Sequence, residues 1–106
     1  MASKSLTSRT VDLLRKDYPL VEVVERYNAF TRRRHDLFGI IDVLAVKHNE
    51  ILMVQTTSRS NMSSRIKKIE DSDAIASLRE AGIAIHVHGW FKNKRGRYEV
   101  RVVDIS

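Results

Sequence analysis

Gly39-Ile40-Ile41-Asp42-Val43-Leu44-Ala45-Val46, the polar break Lys47-His48-Asn49-Glu50 and Ile51-Leu52-Met53-Val54-Gln55-Thr56-Thr57 read together as one β-hairpin. Both arms are rich in β-branched and aliphatic residues, and the break between them is short enough to reverse the chain. Pairing Val46 with Ile51 sets Ala45 against Leu52, Leu44 against Met53, Val43 against Val54 and Asp42 against Gln55. A two-residue turn at His48-Asn49 gives the same register. Opposed residues share a face with Cβ atoms about 5 Å apart, and the period of two adds Thr57 to that face. The hairpin therefore gathers Asp42, Gln55 and Thr57. A carboxylate amid apolar strand residues is costly to bury without a partner or a cation, which makes this spot the first candidate for chemistry.

Upstream of the hairpin, Thr7 or Ser8 can cap a helix over about residues 8 to 17, with Val11, Leu14 and Leu6 as its apolar stripe and Pro19 as its stop. Leu20 to Tyr27 reads as a strand because Val21, Val23 and Val24 are β-branched. Asn28 to Asp36 is a polar connection carrying Arg32-Arg33-Arg34, either a solvated loop or an arm that contacts phosphate. Downstream, Ser58-Arg59-Ser60-Asn61 leads into a helix from about Met62 to Glu70, with Ile66 and Ile69 toward the core and Arg65 and Lys68 sharing another face. Ser72 or Asp73 caps a short helix with Ile75 and Leu78, and Gly82 closes it. Ile83 to Phe91 alternates, with Ile83, Ile85 and Val87 on one face and Ala84, His86, His88 and Trp90 on the other. After a basic turn at Asn93 to Arg97, Tyr98 to Val103 forms the last strand. This order, with no internal repeat, closes naturally as a single α/β or α+β sandwich domain over residues 1–106, with a mixed central sheet.

The 106 residues suffice for one modest core, and a hydrophobic share of 42% suits a folded chain. No cysteine is present, which excludes a disulfide framework, a cysteine zinc site and a thiol nucleophile. No apolar run approaches the roughly 20 residues of a membrane span, and Met1-Ala2-Ser3-Lys4-Ser5 lacks the apolar stretch of a signal peptide. The expectation is a soluble, cytoplasmic protein without a membrane partner. Nineteen Lys and Arg against thirteen Asp and Glu leave a net charge of +6, a field that favours polyanions and nucleic acid first.

An acid on one strand facing a polar pair on the next is a way for a small fold to hold a divalent cation for phosphodiester hydrolysis. At these residues the chain resembles the PD-(D/E)XK nuclease superfamily, the restriction-endonuclease-like fold that includes Holliday junction resolvases. The closer likeness is to small phage and bacterial proteins with Asp-Leu-Phe-Gly-x-x-Asp, then Val-Gln-x-Thr-Ser, then Asn-x-x-x-Arg-x-x-Lys and a late Gly-Trp. Here these fall on Asp36 to Asp42, Val54 to Ser58, Asn61 with Arg65 and Lys68, and Gly89-Trp90.

The resemblance implies an αβββαβ core and a Mg2+- or Mn2+-dependent deoxyribonuclease, in the host cytoplasm if phage-encoded, with a homodimer possible by analogy. It implies Asp42 as principal metal ligand, Gln55 as second ligand or water-orienting amide, Thr57 in the usual lysine's place and Asp36 as auxiliary acid. Arg65, Lys67 or Lys68 would supply the displaced positive charge, with Arg32, Arg33 and Arg34 as further DNA contacts. Gln55 replaces an acid and Thr57 a lysine, so a degenerate nuclease fold that binds DNA without cutting is the rival reading. Asp36 or Glu25 could restore the missing carboxylate. Taken alone, Asp42 could instead pair with Arg26 or Arg34, Asp36 could fix a turn, and His86 with His88 could form a metal pair lacking a third ligand.

Overall fold

The computed structural model describes residues 4–106; Met1–Ser3, part of the segment read as lacking a signal peptide, lie outside them. The central hairpin forms in the expected register. Strand β4 (Val43–Lys47) pairs antiparallel with β5 (Glu50–Ser58), with Val43 opposite Val54 and Val46 opposite Ile51, closed by a two-residue turn at His48-Asn49. Helix α1 (Leu6–Arg15) precedes β1 (Leu20–Val23), and α2 (Met62–Glu70) and α3 (Ile75–Glu80) follow β5. Strands β6 (Ala84–Lys92) and β7 (Tyr98–Asp104) complete a five-stranded mixed sheet of order β1-β4-β5-β6-β7, in which β5 and β6 alone run parallel. A crossover is obligatory between parallel neighbours, and α2 with α3 provides it.

Alternation along the strands sorts the core into two layers. Val43, Ala45, Leu52 and Val54 face α1 and meet Val11, Leu14 and Tyr18. Met53, Ile85 and Val87 face α2 and α3 and meet Met62, Ile69, Ile75 and Leu78. β5 is buried on both faces, so its last polar residues, Gln55, Thr56 and Thr57, are enclosed as well. No helix among the described residues is long and apolar enough to cross a membrane.

Three details differ from the sequence reading. α1 starts earlier, because the Ser5 hydroxyl accepts the Ser8 N–H and so caps the helix in place of Thr7 or Ser8. The strand expected over Leu20 to Tyr27 is broken: its pairing with β4 ends at Val23 opposite Val43, and one further bond, from the Val24 N–H to the Asp42 carbonyl, is the last before the chain departs. The chain turns away and Arg26–Asn28 (β2) pairs with Arg33–His35 (β3) as a separate two-stranded ribbon, which makes the expected Asn28–Asp36 connection largely strand. Its tip is fixed by Asn28, whose Oδ1 accepts the N–H groups of Phe30 and Thr31. The first hairpin arm is also shorter than Gly39–Val46, because Leu37 to Ile40 form a tight turn with Phe38 at φ +56° and Gly39 at φ +75°.

The expected stop of α3 holds. Gly82 has φ +75°, its N–H reaches Arg79 O, and the Ile83 N–H reaches Leu78 O, the paired bonds of a Schellman cap. Gly89 answers a different need. On β6 it lies beside Thr57, and a Cβ there would fall on Met62 Sδ and come 3.1 Å from the Cα of Arg59. The start of α2 therefore packs directly on the β6 backbone. Gly89→Ala should cost roughly 1–3 kcal/mol through overpacking, read as a lower urea midpoint; an unchanged midpoint would show that Met62 moves aside freely.

Candidate functional site

Backbone pairing alone brings three carboxylates together. The tight turn at Phe38-Gly39 folds Leu37 back onto Ile41 as an antiparallel bridge, which sets Asp36 opposite Asp42. On the other side, the Val24 N–H donates to the Asp42 carbonyl at 2.8 Å, which brings Glu25 alongside. The carboxylate oxygens of Glu25, Asp36 and Asp42 consequently lie within 4.8 Å of one another, a group able to hold a metal ion. Sequence analysis named Asp42 and Asp36 and offered Glu25 as a substitute acid; the structure brings all three to one point.

Asp42 is 4% exposed. Its Oδ2 accepts the Gln55 side-chain amide at 2.7 Å and the Thr56 backbone N–H at 2.8 Å. These bonds stabilise the ionised form. Burial outweighs them, and with the neighbouring charges of Asp36 and Glu25 it pushes the Asp42 carboxyl up to about 7. Gln55, 2% exposed, spends its amide N–H on Asp42, and its own Oε1 is buried with no hydrogen-bond partner. An unpaired buried carbonyl oxygen costs on the order of 1–3 kcal/mol unless something positive meets it. The three carboxylates and the Gln55 oxygen line one cleft as an all-oxygen donor set that could hold a cation.

These residues line a cleft of about 310 Å³. Its remaining walls are Thr7 of α1, Thr56, Arg34, and Arg65 with Lys68 from one face of α2. Arg34 Nη1 bonds Glu25 Oε1 at 3.1 Å. Four other predicted residues sit elsewhere. Thr57 is buried on the Gln55 face of β5 but does not line the cleft; Lys67 is exposed on the neighbouring face of α2; Arg32 and Arg33 belong to the exposed ribbon.

Sequence reasoning missed the support behind the site. Thr10, fully buried on α1, accepts the Thr56 hydroxyl at 3.1 Å and the Trp90 indole N–H at 2.9 Å, and lies 3.4 Å from His88 Nδ1. Its one proton suits an acceptor Nδ1. Burial holds His88 neutral, down to about 4, which fits that role. Trp90 is thus a packing residue with a satisfied N–H. His86 sits 3.6 Å from Asp104, so the two histidines have separate partners. A threonine in the apolar stripe of α1 was the available signal for this hub.

Compared with known proteins, the chain matches no family model, no curated protein and no solved structure.

The raised Asp42 value makes a signed prediction for the metal-free protein. Between about 4 and about 7 the folded state holds a proton that the unfolded chain, with the ordinary value of 3.8, has released. Asp42 therefore contributes a stability term that falls as pH rises through that window. In chelator, the stability of wild type minus that of Asp42→Asn should decline from pH 4 to pH 8 in urea melts. A difference that is flat or rises with pH would contradict the buried, crowded carboxylate.

Proposed function

We propose that the protein is a metal-dependent DNA phosphodiesterase, an endonuclease or resolvase-like enzyme. The observation that carries this is the convergence of Glu25, Asp36 and Asp42 within 4.8 Å, in a cleft also lined by Gln55, whose Oε1 has no partner. An all-oxygen donor set suits a hard cation, Mg2+ or Mn2+, rather than a soft one. Asp42 is the fixed ligand, held by Thr56 and Gln55, with Asp36, Glu25 and the Gln55 oxygen as further donors. When bound, the ion supplies a water of lowered pKa and screens the phosphate charge.

The rest of the cleft suits a phosphodiester. Arg65 and Lys68, three residues apart on α2, form its cationic wall, where they hold the phosphate facing the acids. Lys68 brings from a helix the charge that the resembled family carries on its third strand, where this chain has Thr57. The order α1, β1, β4, β5, α2, β6, antiparallel in its first three strands and parallel at the β5–β6 step, supports a restriction-endonuclease-like reading. The net charge of +6 supports a polyanionic substrate.

The rival, a DNA-binding module without catalysis, rests on the uncharged Thr57. Metal dependence separates the two. Labelled single-stranded, duplex and four-way-junction DNA should be cut with Mg2+ or Mn2+, and cutting should fall more than about 100-fold in Asp42→Asn, because second-sphere losses alone reach 10–100-fold. Lys68→Ala should lower cutting while leaving metal binding intact. Salt-sensitive DNA binding by both proteins, with no cutting in any metal, would overturn the enzyme reading.

A further inference from the structure

The β2–β3 ribbon carries a feature that the site itself does not use. Phe30, at its tip, is 100% exposed, and Tyr27 on its first strand is 64% exposed. Two exposed aromatics on one short ribbon, its tip held by Asn28, offer a surface that a partner can cover. The surroundings define that partner's charge. Arg26, Arg32 and Arg33 lie on the same ribbon, and none of them forms an ion pair among the described residues. An aromatic flanked by free guanidinium groups suits a nucleobase stacked between charged backbone contacts, and disfavours a cationic or purely apolar surface.

The ribbon is also continuous with the acids. Glu25 immediately precedes β2 and Asp36 immediately follows β3, so two of the three carboxylates form its base. Three strand residues and the start of the turn separate Glu25 from Phe30, a reach of roughly 10–16 Å. That corresponds to roughly three to five nucleotide steps at about 3.4 Å each. A base engaged at the tip would thus fix which phosphate lies at the acids.

We infer that the β2–β3 ribbon is a structure-reading arm, whose Phe30 stacks on an unpaired or easily unstacked base while Arg26, Arg32 and Arg33 hold the adjacent phosphates. The substrate class is therefore DNA with unpaired bases, such as a bulge, flap or junction, in preference to perfect duplex. This rests on the DNA reading proposed above and adds the substrate's structure to it.

The test is a binding measurement in chelator, so that it does not depend on cutting. Fluorescence anisotropy compares a perfect duplex with the same duplex carrying one unpaired 2-aminopurine, whose emission also reports stacking. Wild type should bind the bulged DNA about tenfold tighter and change its 2-aminopurine emission. Phe30→Ala should lose both effects while its duplex affinity stays within about twofold, and Phe30→Trp should retain them. Since the side chain is fully exposed, none of these changes threatens the fold. Equal affinity of the wild type for the two DNAs, or a preference that survives Phe30→Ala, overturns the stacking role and leaves the DNA reading intact. No binding of either DNA, whether in chelator or with Ca2+ neutralising the acids, overturns both. A switch from dimer to monomer on sedimentation of Phe30→Ala, with DNA binding unchanged, overturns the arm in favour of a contact between copies of the chain.

Discussion

Placing a carboxylate at the inner end of a hairpin otherwise built of valine, isoleucine and leucine carries a desolvation cost, and the architecture around Asp42 follows from how that cost is met. The Thr56 N–H and the Gln55 amide meet part of it. Both come from the strand directly opposite, so the hairpin register is itself the device that delivers them. They are not sufficient, since the carboxyl still sits near 7. Asp36 and Glu25 then make matters worse by adding like charge within 4.8 Å. A purely structural carboxylate would be expected to recruit a cationic side chain. Here Arg34, which lines the same cleft, bonds Glu25 instead. Below about pH 7 protonation of Asp42 relieves this repulsion; above it, a cation bound among the three acids would do so.

The sheet makes such a cluster tolerable by holding it from both sides. On one face, α1 presents Thr10, which ties Thr56, Trp90 and His88 into a satisfied polar hub. On the other, α2 starts close against β6 because Gly89 has no side chain, and over its next two turns it delivers Arg65 and Lys68 to the cleft. The acids enter from the main sheet and from the base of the ribbon. A rigid floor and a projecting arm are thereby joined at the candidate site.

The hairpin, its register and the Asp42–Gln55 contact were legible in the sequence, because a period of two with one buried face permits few alternatives. A mixed sheet was expected; that its parallel step is β5–β6 is seen only in the structure. The ribbon was not legible. Its strands are three residues each and wholly exposed, so Arg26 to His35 carries no hydrophobic periodicity and looks like a loop. Tertiary pairing, not local propensity, makes it strand. The position of Thr57 illustrates the opposite limit. Alternation correctly put it on the Gln55 face, but Thr57 does not line the cleft, whose cationic residues are Arg34, Arg65 and Lys68. Alternation fixes the face of a residue and not its distance from a site. Glu25 was readable only as a candidate, since its approach depends on a single backbone bond between Val24 and Asp42.

The most direct test of the central claim is a titration of Mn2+ by electron paramagnetic resonance into wild type and Asp42→Asn at a pH near 8, where the carboxyl is ionised. One bound ion per wild-type chain is expected, displaceable by Mg2+, with affinity at least about 100-fold weaker in the variant. No bound ion in the wild type, or equal binding by the two proteins, would contradict it and leave Asp42 as a buried acid without a cation.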